Sequence, residues 1–415
     1  MKTIEWRDNV LTVEGVSCVT LAEDYGTPLF VYSRRAIETA WREFDTALTG
    51  HDHLVCYSVK ANSNLAVLQT LVKLGSGFDI VSGGEFKRVL AAGGSPDRIV
   101  FSGVGKTAQE ITTCLKAGIR CFNVESISEL ERLAILAEEL GVVAPVSLRI
   151  NPDVDAQTHP YISTGLKENK FGIGMQDAMA TYRRAADLSS IDVQGIDCHI
   201  GSQLTRIEPY ADALTHLLTL VDKLRDEGIV ISHIDVGGGQ GIQYDQETPL
   251  DIAAWASCVR DAVGARKMEI IAEPGRYIAG PAGVLLTRVE YLKSNDSRHF
   301  AVVDAAMNDV IRPALYGAWQ AIEPVIKNPQ RAVRVYDVVG PICESADFLG
   351  KQRSLGIAEN DLLAVMSTGA YCAVMSSNYN TRPRSAEVMV DGETSQLVRA
   401  REQVDALFAD EYLLP

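Results

Sequence analysis

Three things are scarce in this chain of 415 residues, and each scarcity excludes a class of protein. Its eight cysteines, at 18, 56, 114, 121, 198, 258, 343 and 372, never adopt the CxxC spacing that zinc sites favour. A chain this long does not need disulfides, so most of these thiols read as small buried hydrophobes. Positive charge is short as well: 39 Lys and Arg face 54 Asp and Glu, and a formal charge of −15 repels phosphate backbones and anionic lipid. Neither a nucleic-acid nor a membrane partner is expected, and an anionic ligand has to be held by a local cationic pocket. Long apolar runs are missing too. Glu5, Arg7 and Asp8 interrupt the stretch a signal peptide needs, and no window reaches membrane-spanning length, so a cytoplasmic protein is expected.

What is present is ordinary globular composition, 47% apolar and 22% charged, arranged with a clear period. Short β-rich runs begin near Leu54, Phe78, Ile99, Cys121, Val146, Gly195, His233 and Glu269, separated by helical patterns such as Asn64–Leu74, Ser128–Leu140 and Leu250–Val263. Strands alternating with helices mean a parallel sheet, and eight βα units over about 220 residues match the usual size of a closed (β/α)8 barrel. After Gly275 the pattern changes. Val284–Leu292, Phe300–Val303, Arg334–Val339, Leu362–Met366 and Ala386–Val390 read as strands without regular helices between them, a second, mainly β domain. Ile4–Trp6 and Leu11–Val13 form a hairpin that belongs with it. The expected division is an α/β barrel over residues 27–276 and a β-rich domain from 1–26 plus 277–415.

A barrel builds its site from the loops at the C-terminal ends of its strands. There the sequence places Lys60, Asp79, Glu125, Arg149, His199, Asp235 and Glu273, on every strand but the third. Lys60 follows Cys56-Tyr57-Ser58-Val59, where a bare ammonium is costly and a neutral amine can attack an aldehyde. Glu273 follows Ile270-Ile271-Ala272, and a carboxylate in that setting wants a cation such as a protonated ring nitrogen. His199 offers a flat ring able to lie against another. The run Gly237-Gly238-Gly239-Gln240-Gly241 lets backbone N–H groups converge on an anion, with the following helix adding a positive end, and Glu273-Pro274-Gly275-Arg276 closes the other side. A tight turn explains the glycines equally well taken alone. Ile242 rules out a G-x-G-x-x-G fingerprint, Gly103-Val104-Gly105-Lys106-Thr107 reads as a turn opening a helix, and His51-Asp52-His53 as a solvated loop. No metal site is expected.

Tyr57-Ser58-Val59-Lys60-Ala61-Asn62, His199-Ile200-Gly201-Ser202-Gln203, the Gly237–Gly241 run and Glu273-Pro274-Gly275-Arg276 together resemble the fold-type III pyridoxal-phosphate decarboxylases, in order and over nearly the whole chain. Within that family, residues 158–165 (THPYISTG), Lys170-Phe171-Gly172 and Gly340-Pro341-Ile342-Cys343-Glu344-Ser345-Ala346-Asp347 look like the branch acting on diaminopimelate rather than those acting on ornithine or arginine. Gln240 stands where Leu is common, Ser58 where Ala is common and Ala346 where Gly is frequent; none is a reacting group.

The resemblance implies an alanine-racemase-like two-domain architecture, the cofactor pyridoxal 5'-phosphate, and decarboxylation of meso-2,6-diaminopimelate to L-lysine and CO2. It makes Lys60 the Schiff-base lysine, His199 the residue stacked on the cofactor ring, and Glu273 the partner of its nitrogen, with Asp79 behind. Gly238, Gly239, Gly275, Arg276, Ser202 and Tyr371 would hold the phosphate. Arg276, Arg312 and Tyr316 would receive the distal carboxylate of the substrate, with Tyr371 also lining its site, and Glu344 the distal ammonium. Cys343 would be the proton donor, reaching the site from the neighbouring subunit of a homodimer. The segment from Asp153 to Lys170 is a candidate lid. Two alternatives stay open: a decarboxylase of ornithine, arginine or a related basic amino acid, and an inactive regulatory homologue that binds a partner enzyme.

Overall fold

The computed structural model describes residues 3–154 and 170–415; the 158–165 motif and all but the ends of the lid candidate lie outside the described residues. Two compact units result, one from residues 39–242 and 248–277, the other from 1–38, 243–247 and 278–415.

The first unit is a closed barrel of eight parallel strands: β1 (His53–Ser58), β2 (Gly77–Ile80), β3 (Ile99–Phe101), β4 (Cys121–Val124), β5 (Ala144–Asn151), β6 (Ile191–Asp197), β7 (His233–Asp235) and β8 (Glu269–Ala272). Each strand pairs with the next in sequence, and β8 pairs with β1 to close the ring. All eight start within four residues of where the sequence puts them, because a mostly buried parallel strand reads as a short apolar run between helical patterns. Leu54, Cys56, Val100, Cys121 and Ile271, from four different strands, form one apolar cluster of the kind that fills a barrel interior.

The helices begin where side chains satisfy their free N–H groups. Asn64, Ser82, Ser126 and Asp251 each accept from a backbone N–H in the first turn, and Thr107 with Glu110 forms a reciprocal capping box. Each cap stabilises its helix by about 1 kcal/mol. The Gly103–Thr107 segment thus opens the helix Ala108–Ala117, and Lys106 is buried with its ammonium on Gly103 O, Asn123 O and Glu129. His51 and His53 do not sit in a solvated loop: His53 begins β1, and both rings are hydrogen-bonded, to Met268 O and to Asp45.

The second unit is built on a nine-stranded sheet in which the long strand Gly283–Ser294 pairs with three others. The hairpin Ile4–Arg7/Val10–Val13 packs Leu11 and Val13 into the same core as Val284, Leu286 and Val388, so it belongs to this unit. The boundary at residue 27 needs correction. Leu29–Ser33, fully buried, pairs antiparallel with Gly283–Leu286 and parallel with Ala386–Val390, and is therefore a strand of the β-rich sheet rather than part of the barrel. Among the described residues no helix is long and apolar enough to cross a membrane.

Candidate active site

Strand alternation brings the polar side chains together. β1 ends at Ser58, and Lys60 lies in the single turn of 3-10 helix Val59–Ala61 that follows. The ammonium is not bare: Lys60 Nζ lies 2.6 Å from Oδ2 of Asp79, which alternation on β2 points to the same place. Ser58 Oγ stands 2.8 Å from that same Oδ2 and 2.9 Å from the carbonyl oxygen of Glu273, linking β1, β2 and β8 through one hydroxyl. Oδ1 of Asp79 is buried without a hydrogen-bond partner among the described residues.

Glu273 is buried, 4% exposed, in a group of acids: Asp197, Asp235 and Glu273 bring carboxylate oxygens within 4.8 Å of one another. Burial first, then the charges of Asp235, Asp79 and Asp197, hold the Glu273 carboxyl well above its ordinary range, and burial pushes Asp235 up to about 6. Such an acid favours a proton, or a cation delivered beside it. Asn123 donates towards Asp235 (3.3 Å) and Glu273 (3.5 Å), and Ser102 Oγ lies 3.3 Å from Glu273. These two residues were missed in the sequence. Ser102, directly after β3, is the strand-end residue that the third strand seemed to lack, and a serine is too common at such a place to signal itself. Buried Arg149 supplies the counter-charge, 2.7 Å from Glu125 and 3.9 Å from Asp197.

The loops after β6 and β7 are tied to each other. His199 Nδ1 accepts from the N–H of Gly238 at 3.2 Å, Leu204 N donates to Gly239 O and Gly241 N to Leu204 O, and the Gln203 amide makes a two-way pair with the backbone of Ile242. The glycines are required by close approach. A Cβ on Gly238 would lie 2.2 Å from Glu273 O, one on Gly239 2.2 Å from Gly201 O, and Gly239 also has φ +96°. No helix follows this run directly: the chain passes through 243–250 before the helix Ile252–Val263, so a helix end adds nothing to the loop and that expectation is withdrawn. Arg276, which opens the short helix Arg276–Ala279 after β8, is buried and donates to Ser202 at 2.9 Å, while burial beside Arg149 and Lys60 keeps the His199 ring neutral.

The remaining sequence-predicted residues lie in the β-rich unit. Arg312 opens the short helix Arg312–Tyr316 and is buried at 6% exposure, which excludes a surface ion pair. Tyr371 is half-buried with φ +57°, a left-handed backbone that costs energy for an aromatic residue and is kept where a side chain must be aimed. Cys343 and Glu344 are exposed on a loop that Asp347 organises: its carboxylate accepts from Met307 N at 2.7 Å and Ile342 N at 2.6 Å. Tyr379 donates to Glu344 at 2.6 Å. Six of the eight cysteines are buried, in line with the reading of most as small buried hydrophobes; Cys258 is half-buried.

Comparison with known proteins gives this arrangement a context. Residues 34–280 match the family model described as the pyridoxal binding domain of pyridoxal-dependent decarboxylases. The chain is 59% identical over 415 residues to the diaminopimelate decarboxylase of Pseudomonas aeruginosa, covering all of both. Among solved structures, the diaminopimelate decarboxylase of M. jannaschii in complex with L-lysine superposes with a TM-score of 0.95 at 37% identity, covering 100% of this chain and 98% of that one. The Helicobacter pylori diaminopimelate decarboxylase complexed with L-lysine gives 0.92 at 41%, covering 95% and 98%.

Proposed function

Because the chain belongs to the diaminopimelate decarboxylase family of pyridoxal-dependent decarboxylases, we propose that it converts meso-2,6-diaminopimelate to L-lysine and CO2 in the cytoplasm, as a homodimer with its active sites at the subunit interface. The observation that carries this reading is the meeting of Lys60, Asp79, Ser58 and Glu273 at the ends of three strands. An amine fixed by a carboxylate, beside a buried acid crowded by other acids, is the donor set that suits an aldehyde on a ring with a basic nitrogen. The glycine loop, which admits no Cβ at 238 or 239, suits the phosphate.

On this reading the barrel would hold pyridoxal phosphate, with Lys60 serving its aldehyde, Glu273 its ring nitrogen and His199 its ring. Gly238, Gly239, Gly275, Arg276, Ser202 and Tyr371 would hold its phosphate, with Asp79 behind. When bound, the cofactor supplies a sink for the electrons left as CO2 departs. The chain does the rest. Glu273 keeps a negative charge at the nitrogen, Asp79 orients the Lys60 amine, and the buried cluster excludes water. The β-rich unit contributes the substrate and dimer contacts. Arg312, Tyr316 and Arg276 take the distal carboxylate, Tyr371 lines the same site, Glu344 takes the distal ammonium, and Cys343 of one subunit protonates the carbon in its neighbour's site.

The direct test is turnover of meso-diaminopimelate and of ornithine by the purified protein with added pyridoxal phosphate. Lysine and CO2 from the first, with little from the second, are expected; a preference for ornithine refutes the substrate, and no turnover of either refutes the reading. Two variants refine it. Arg312→Ala should raise KM for diaminopimelate about 100-fold, the worth of a buried charge-assisted pair of about 3 kcal/mol, and leave any slow ornithine turnover within about threefold. Cys343→Ser replaces the acid by a far weaker one and should lower kcat about 100-fold with KM little changed. A kcat within threefold of wild type would remove the thiol from the reaction.

A further inference from the structure

One structural relation joins two parts of the sequence that no motif connects. Tyr244 lies three residues beyond the glycine run, yet residues 243–247 cluster with the β-rich unit rather than with the barrel on either side of them in sequence. Within that unit the Arg312 guanidinium carbon stands 4.4 Å from the centre of the Tyr244 ring. Both residues are buried, at 6% and 8% exposure, and one terminal nitrogen of Arg312, Nη1, has no hydrogen-bond partner among the described residues. The loop is prefolded: the Glu247 carboxylate accepts from Tyr244 N at 3.1 Å and from Asp245 N at 2.8 Å. Next to it Arg353 stacks on Trp319 with its guanidinium carbon 3.0 Å from the ring centre, and burial lowers its pKa to about 10 against the opposing charge of Asp245.

A guanidinium lying on an aromatic face satisfies its cation through the ring while leaving its edge N–H groups available, and the flat contact removes most of the freedom of a long side chain. Neutralising the charge with a carboxylate instead would compete with an anionic ligand. An aromatic shelf holds the arginine without competing for its donors. We propose that Tyr244 is a positioning residue for substrate specificity: its ring fixes Arg312 with a buried N–H left for the distal carboxylate of the substrate. The inference rests on the function proposed above and adds a residue outside every motif that pointed to it.

The test uses the holoenzyme and kinetics on meso-diaminopimelate. Tyr244→Leu should raise KM about tenfold, the order expected for a desolvated cation–π contact, and keep kcat within about threefold. Tyr244→Phe, which keeps the ring, should keep KM within about twofold of wild type. In an Arg312→Ala background Tyr244→Leu should change KM less than about twofold, because the group it positions is gone. Tyr244→Met, apolar and of comparable volume, carries the same expectations if the leucine variant is insoluble. An unchanged KM in the single variant, a tenfold loss that persists without Arg312, or a fall in kcat and melting temperature with KM held, overturns the positioning role while leaving the parent function standing. A wild-type enzyme inert towards diaminopimelate overturns both.

Discussion

Replacing Lys60 by Ala should lower CO2 release from diaminopimelate by about 10³-fold or more and abolish the visible absorbance of the protein loaded with pyridoxal phosphate. The size follows from what the amine does. It is the group on the barrel rim that can bond covalently to an aldehyde, and Asp79 at 2.6 Å holds it in place. Alanine removes the nucleophile and leaves buried Asp79, one oxygen of which has no partner among the described residues, with Ser58 still donating to the other. Loss of activity with the absorbance retained would mean that the cofactor is attached elsewhere; activity within tenfold of wild type would mean that Lys60 has no part in the chemistry.

Glu273→Gln should lower kcat by about 10²–10³-fold, the cost of removing a charge placed where the reaction needs it, with KM changed only a few-fold. Stability should move the other way. The Glu273 carboxyl is held above its usual value of 4.5 by burial and by Asp235, Asp79 and Asp197, so the folded protein binds a proton more readily than the unfolded chain. Such a group contributes stability below its unfolded pKa and loses it as pH rises above 4.5. Glutamine has no proton to lose. The cofactor-free variant should therefore melt higher than wild type at pH 7 by the equivalent of about 1 kcal/mol or more, with the advantage fading towards pH 4. A variant that melts lower at pH 7, or one with wild-type kcat, would show that the acid is an ordinary structural partner.

The barrel was legible because buried parallel strands announce themselves as short apolar runs between helices, and the strand-end rule turned those runs into a site. Lys60, Asp79, His199, Asp235 and Glu273 needed only that rule. Other features have weaker local signatures. Leu29–Ser33 is apolar throughout and indistinguishable by composition from a barrel strand; what assigns it elsewhere is pairing with Gly283–Leu286 and Ala386–Val390, hundreds of residues away. Phe348–Leu355 carries Gly350, Lys351, Gln352 and Arg353, a poor strand composition, and is a strand because Arg334–Val339 pairs with it. Ser58, Ser102, Asn123 and Gln203 act through a single hydroxyl or amide each, and such residues are ordinary in strands and the loops after them. Tyr244 is invisible for a different reason: its significance comes only from the arginine lying on its ring.

The account stands on Lys60 as the point of attachment, and reductive labelling tests it most directly. Loading the protein with pyridoxal phosphate, treating it with borohydride, and mapping the modified peptide by mass spectrometry should place a single phosphopyridoxyl group on Lys60. The label on any other lysine, or no stable label at all, would contradict the site described here.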